Sequence, residues 1–406
     1  MGATRRLAEA VALSRAPGPS KAAGSLLVSA GRVHSRSAIA VNPPVHRAST
    51  FLFNTLDEFE AAGRTPFDGP FYGRVGTPTI FAFESAMAEL EGGHRTIATA
   101  SGLAAISATF LAFAAQGDHV LVVDTVYEPV RRFCDRLLAP LGVSITYYHP
   151  EIGSDIGRLI EPRTRLIYME TPGSGTFEIQ DVPAIVAVAR ARGIKTALDN
   201  SWATPLFFKP IAHGVDVSIQ SATKYIVGHS DAMLGAVTTT AESYEAVRRA
   251  TQDLGACAGS EEGNLGLRGL RTLEVRLRHH EASALELAQW LHTQPQIARV
   301  LHPALPSFPG HEMWKRDFEG SSGLFAVELA GCDRDAVRAM VDGLELFKIG
   351  FSWGGYESLV LPVDPAKSRT VARHAGAGPI LRLHVGLEAV EDLKADLGRG
   401  LARLRA

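Results

Sequence analysis

From about residue 80 to 240, short apolar runs alternate with stretches whose apolar residues recur at helical spacing. The pattern predicts a helix over Leu103–Ala115, opening after Ser101-Gly102, then a strand over His119–Val123 and a helix over Glu128–Leu141. Strands follow over Ile145–Tyr148 and Leu166–Glu170, a helix over Val182–Ala191, and strands over Thr196–Leu198 and Val215–Ile219. Strands that are apolar throughout and separated by helices build βαβ units, hence a mostly parallel sheet covered on both faces. Residues 1–76 lack this alternation and read as an N-terminal extension and arm, while 77–270 form the α/β domain. Beyond about residue 270 the pattern changes to a long arginine-rich helix, Arg271–His292. Alternating strands such as Leu324–Leu329 and Ile380–Val385 come after it, so 271–406 read as a smaller α+β domain.

Composition narrows the class. The 406 residues carry 41 Lys+Arg against 43 Asp+Glu, a formal net charge of −2, without the basic excess that a nucleic-acid binder shows. With 46% apolar residues and no uninterrupted apolar run of bilayer length, the chain reads as globular and non-membrane. Cys134, Cys257 and Cys332 lie far apart, which is no disulfide framework and fits a reducing, cytoplasmic setting. The first twenty residues, with Arg5, Arg6, Arg15 and a lone Glu9, read as an extension ending near Pro17-Gly18-Pro19; a transit peptide is the alternative. Only eight of the 41 basic residues are lysines, so each lysine is easily examined.

In a parallel sheet, ligands sit beyond the carboxyl ends of the strands. Those ends deliver Asp124, Glu170, Asp199 and the turn Ser221–Lys224. A lysine desolvated at such an end becomes a nucleophilic amine, a candidate Schiff-base former, whereas arginine stays charged. Lys224 is that candidate, and a surface lysine is its bland alternative. Ser221 and Thr223 beside it offer hydroxyls to a phosphate or simply shape the turn. Asp199 offers a carboxylate to a buried cation, such as a protonated pyridine nitrogen, or caps a turn. Ser101-Gly102 opens a strongly apolar helix, whose free N–H groups and dipole suit an anion, with Ser101 as a plain N-cap the alternative. Tyr127 can stack on a flat cofactor or merely pack. On the strand around Leu381-Arg382-Leu383-His384, Arg382 shares a face with His384 and can clamp a carboxylate or simply face solvent.

Competing chemistries lack their residues. There is no GxGxxG fingerprint for a nicotinamide enzyme, and no paired-cysteine or HExxH spacing for zinc. His229-Ser230-Asp231 are neighbours in sequence, which does not make them a triad in space.

Lysine, aspartate, anion-binding helix start, stacking tyrosine and clamping arginine together are the parts of a pyridoxal-phosphate enzyme acting on an amino acid. From about Leu26 onward the chain resembles the Cys/Met-metabolism family of fold-type I pyridoxal-phosphate enzymes. The resemblance rests on Tyr72-Gly-Arg-Val-Gly-Thr, Tyr127-Glu-Pro, Asp199-Asn-Ser-Trp and Ser221-Ala-Thr-Lys-Tyr-Ile-Val-Gly-His-Ser-Asp. Gly266-Leu-Arg-Gly-Leu-Arg-Thr and Ser352-Trp-Gly-Gly-Tyr-Glu-Ser complete it. It implies a seven-stranded, mostly parallel sheet in the large domain and pyridoxal 5'-phosphate held covalently by Lys224, which also moves the Cα proton. It implies Asp199 at the pyridine nitrogen, Tyr127 on the ring, and Gly102, Leu103, Ser221 and Thr223 at the phosphate. Arg382 is implied at the substrate carboxylate, with Ser352 and Trp353 beside it. Tyr72 and Arg74 are implied to reach the phosphate of a neighbouring subunit, in a homotetramer built as a dimer of dimers.

Within the family the resemblance implies a carbon–sulfur β-lyase that cleaves cystathionine to homocysteine, pyruvate and ammonia, in methionine biosynthesis. Glu128-Pro129 after Tyr127, Trp353 before Gly354-Gly355, and Thr171-Pro172-Gly173-Ser174 without an asparagine favour it over γ-lyases and O-acyl-homoserine sulfhydrylases. One departure is Val75, where bacterial β-lyases often carry a second arginine; it implies acceptance of other cysteine S-conjugates or a different contact to the distal end of the substrate.

Overall fold

A computed structural model describes residues 22–32, 40–374, 376 and 378–404. The expectation for the first twenty residues lies outside this set. Seven strands form the larger sheet: β1 Arg95–Thr99, β2 His119–Val123, β3 Ser144–Tyr148, β4 Thr164–Glu170, β5 Lys195–Asp199, β6 Val217–Gln220 and β7 Gly235–Thr239. Their order is β1-β7-β6-β5-β4-β2-β3, and β7 alone runs antiparallel to its neighbours β1 and β6. The mostly parallel seven-stranded sheet is therefore as expected. β2, β6 and β7 are buried along their whole length, because helices cover both faces of the sheet.

A second sheet contains β8 Ile297–Leu301, β9 Leu324–Leu329, β10 Lys348–Ile349, β11 Leu359–Val363 and β12 Ile380–His384, in the order β10-β11-β12-β9-β8. All its pairings are antiparallel except β10 with β11. The helix Leu273–His292 joins the two apolar cores: Leu273 and Leu277 pack into the first, and Ala284, Leu287, Ala288 and Leu291 into the second.

The helix expected over 128–141 is shorter and changes its winding. It is α-helical over Glu128–Phe133 and then widens over Cys134–Leu138, where the Ala139 N–H bonds to the Cys134 carbonyl five residues back. Pro140 follows directly and cannot continue an α-helix. The sequence pattern also passed over β1 and β7, which are short and threonine-rich.

Asp124, just beyond β2, fastens the smaller sheet's flank to the larger one. Its carboxylate accepts the N–H groups of Thr370, Val371 and Ala372 at 3.0, 2.7 and 2.6 Å and pairs with Arg131. Burial alone would raise its pKa; these donors hold it below the usual carboxylate value.

Candidate active site

The carboxyl ends of β4, β5 and β6 and the helix that follows β1 bring the predicted residues together. Ser101 caps the helix Gly102–Phe113 by accepting the Ala104 N–H at 3.1 Å. The N–H groups of Gly102 and Leu103, in the first turn, have no partner within the helix and form a positive end. A side chain at residue 102 would stand 2.5 Å from Ser221 Oγ, so only glycine leaves the space between helix start and serine open. The Ser221 N–H donates to Ser201 Oγ at 2.6 Å, and the Ser201 N–H donates to Asp199 Oδ1 at 3.0 Å. Thr223 is occupied differently: its hydroxyl donates to the Leu234 carbonyl at 3.1 Å and accepts the Leu234 N–H at 2.9 Å. In this arrangement it closes the loop that carries Lys224.

Asp199 is buried and, among the described residues, has no ion-pair partner. Burial raises its pKa, opposed by Ser201 and the charge of Lys224. Glu170 stands opposite Asp199 in the β4–β5 register, and burial together with that neighbouring acid pushes its pKa well up. Glu170 Oε2 accepts the backbone N–H of Tyr127 at 2.8 Å, which fixes the start of the tyrosine's helix, and the ring is 46% exposed above the strand ends. The strand pattern located Glu170 but assigned it no role; its contact with Tyr127 needs the sheet order.

Lys224 Nζ donates to Ser352 Oγ at 2.6 Å and lies 5.3 Å from the centre of the Trp353 ring. Burial, then the charge of Arg382, lowers its pKa to about 8 against the pull of Asp199. At neutral pH roughly a tenth of such amines are unprotonated, a fraction some hundreds of times that of an ordinary lysine. Arg382 Nη2 donates to the Ser352 carbonyl at 3.1 Å and has no carboxylate partner among the described residues. Burial lowers its pKa, partly offset by Tyr127.

Tyr72 and Arg74 lie apart from this cluster. Arg74 Nη1 donates to the Gln252 carbonyl and Oε1 at 3.0 and 3.2 Å, and its guanidinium lies 5.8 Å from the Tyr72 ring centre. Among the described residues no hydrogen bond, ion pair or ring contact joins either residue to Lys224, Asp199 or Ser221. Val75 is 9% exposed, its carbonyl accepting from buried Arg248 at 2.8 Å. Ser230 donates to Glu357 and His229 Nδ1 meets the Val227 carbonyl, so the three adjacent triad residues make no triad. Among the described residues no three metal-ligating groups converge, and no helix is long and apolar enough to cross a membrane.

Three demands coincide here: an anion for the open helix start, a cation for Asp199, and a partner for a weakly basic amine. Pyridoxal 5'-phosphate meets all of them with its phosphate, ring nitrogen and aldehyde, and the fold is that of the fold-type I enzymes that depend on it. Residues 24–402 match the family described as Cys/Met metabolism PLP-dependent enzyme, and the chain belongs to that family. It is 45% identical to cystathionine β-lyase MetC of Escherichia coli K12, over 93% of this chain and 98% of that protein. Identity to the cystathionine β-lyase of Salmonella typhimurium LT2 is 43%, with the same coverage. The crystal structure of metB from Corynebacterium glutamicum superposes with a TM-score of 0.88 at 29% identity, covering 95% of this chain and 99% of that one.

Proposed function

We propose that this enzyme is a carbon–sulfur β-lyase cleaving L-cystathionine, in a cytoplasmic setting. The observation that carries the reading is the Lys224 amine, held by Ser352 under Trp353 and set between Asp199 and Arg382. The similarity to two curated β-lyases supports it. Arg382 takes the substrate α-carboxylate, and the Ser352 hydroxyl holds the Lys224 amine in place. Bound pyridoxal phosphate supplies an electron sink for the pair left when the Cα–H bond breaks. Asp199 keeps a proton on the ring nitrogen, and Gly102, Leu103, Ser221 and Thr223 hold the phosphate. Lys224 accepts the Cα proton and delivers a proton to sulfur as the Cβ–S bond breaks. With one water consumed, the products are homocysteine, pyruvate and ammonia.

A product assay on cystathionine tests this: pyruvate and homocysteine are expected. Production of 2-oxobutyrate and cysteine would establish γ-cleavage instead, the activity of the γ-lyase relatives. The same assay addresses Val75. With no second arginine in that stretch, kcat/KM for a simple S-alkyl-cysteine should lie within about tenfold of that for cystathionine. A far larger preference for cystathionine would mean that another residue holds its distal end.

Tyr72 and Arg74 are exposed and separate from the site in their own chain, as suits residues that complete a neighbour's phosphate site in a homotetramer. Mixing inactive Tyr72→Phe and Lys224→Ala chains should then restore part of the activity. No recovery after proven subunit exchange would refute shared sites.

A further inference from the structure

The turn 352–355 makes three of the site's contacts, yet at Ser352 its backbone is one that a free chain avoids. Ser352 has φ +83° and Gly354 φ +87°. A non-glycine residue in that region is strained and persists only where its surroundings impose it. At Gly354 there is no room for a side chain: a Cβ would stand 2.8 Å from Tyr225 N and 3.0 Å from Lys224 Cα. The turn therefore lies directly on the backbone of the lysine it serves.

β12 grips this turn at two points. Side chains two apart on a strand share a face. From one face of β12, Arg382 bonds the Ser352 carbonyl while His384 Nε2 accepts the Gly354 N–H at 3.0 Å. The same nitrogen lies 3.1 Å from the Gly355 carbonyl, so either tautomer ties the ring to the turn. His384 is 1% exposed, with the rings of His280 and Tyr225 centred 5.4 and 6.0 Å away, and it touches neither Lys224 nor Arg382 through a hydrogen bond. Burial and the neighbouring His280 lower its pKa to about 3, which keeps the imidazole neutral and able to accept.

We propose that His384 is a positioning residue: it locks the turn 352–355 so that the Ser352 carbonyl and hydroxyl stand where Arg382 and Lys224 need them. This rests on Arg382 being the clamp for the substrate carboxylate. Loosening the turn misplaces the clamp, so binding of the amino acid suffers more than the chemistry that follows.

The test uses the cofactor-loaded enzyme and two variants. His384→Phe fills the volume without a ring nitrogen, and His384→Gln places an amide near the position of Nε2. With full cofactor absorption in each, His384→Phe should raise KM for cystathionine about tenfold or more, with kcat changed less than threefold; His384→Gln should recover most of the loss. The Kd of L-alanine, which has no leaving group on Cβ, read from the cofactor absorption, should move in parallel. That second readout holds even if cystathionine proves not to be cleaved. His384→Met carries the same test where the phenyl ring prevents folding. Loaded variants without a ring nitrogen whose KM and Kd stay within twofold of wild type would overturn the proposal. So would an equal rise in His384→Phe and His384→Gln, which would reduce His384 to packing.

Discussion

Replacing Lys224 by methionine is expected to lower turnover about a thousandfold or more, and also to stabilise the cofactor-free protein at pH 7. The first effect follows from removing the group proposed to carry the cofactor and move the proton. The second follows from linkage. In the folded apoprotein the amine has a pKa near 8, below the 10.5 of an unconstrained lysine, so the unfolded chain binds the proton more tightly. The cost to the wild type is complete below about pH 8, shrinks as pH rises, and vanishes above the unfolded value. It is on the order of 3 kcal/mol by the usual 1.36 kcal/mol per pKa unit. Melting curves of both apoproteins at pH 7 and above pH 10 check this. The variant should melt higher at pH 7, and the gap should close in alkali. A variant that melts lower at both pH values would mean that the amine is not penalised by its surroundings.

Asp199→Asn is expected to reduce kcat/KM by more than about a hundredfold while the cofactor stays attached through Lys224. A buried carboxylate facing a protonated ring nitrogen forms a charge pair, and truncating one side of such a pair costs about 2–5 kcal/mol. Asparagine matches the shape and keeps an oxygen for the Ser201 N–H, but brings no charge. The check is steady-state kinetics beside the visible absorption of the holoenzyme. Near-normal kinetics with full absorption would remove Asp199 from its role. Full loss of the cofactor would make it an anchor rather than an electronic partner.

The central strands are legible because β2 is buried along its whole length and β4 and β5 along most of theirs, and an apolar run such as Val120–Val123 has few other uses. β1 and β7 escape notice for a related reason. One pair of their threonines meets inside the sheet, Thr96 Oγ1 lying 2.7 Å from Thr238 Oγ1, and Thr99 donates to the Ser101 carbonyl, so residues that look polar in sequence are buried when folded. Lys224, Asp199 and Gly102 stand at strand ends or a helix start, where local pattern and chemistry agree. Glu170 and His384 do not reveal themselves this way. Each acts through a partner distant in sequence, Tyr127 for one and Gly354 for the other, and only the tertiary arrangement supplies it. Thr223 likewise has a partner that sequence does not show, its hydroxyl meeting the Leu234 carbonyl and N–H.

The helix Leu273–His292 has a consequence for the size of molecule the enzyme accepts. It is a single strut sunk at one end into the core beneath Lys224 and at the other into the core behind Arg382. Neither core can swivel about it without stripping its own apolar face, and the ties at Asp124 and from Trp202 Nε1 to the Leu324 carbonyl (2.8 Å) brace the same joint. The amine and the guanidinium, both tied to Ser352, are thus held in one relation, like the jaws of a set gauge. With the roles proposed for Lys224 and Arg382, that relation serves the part every α-amino acid shares and leaves discrimination among substrates to whatever lies beyond Cβ.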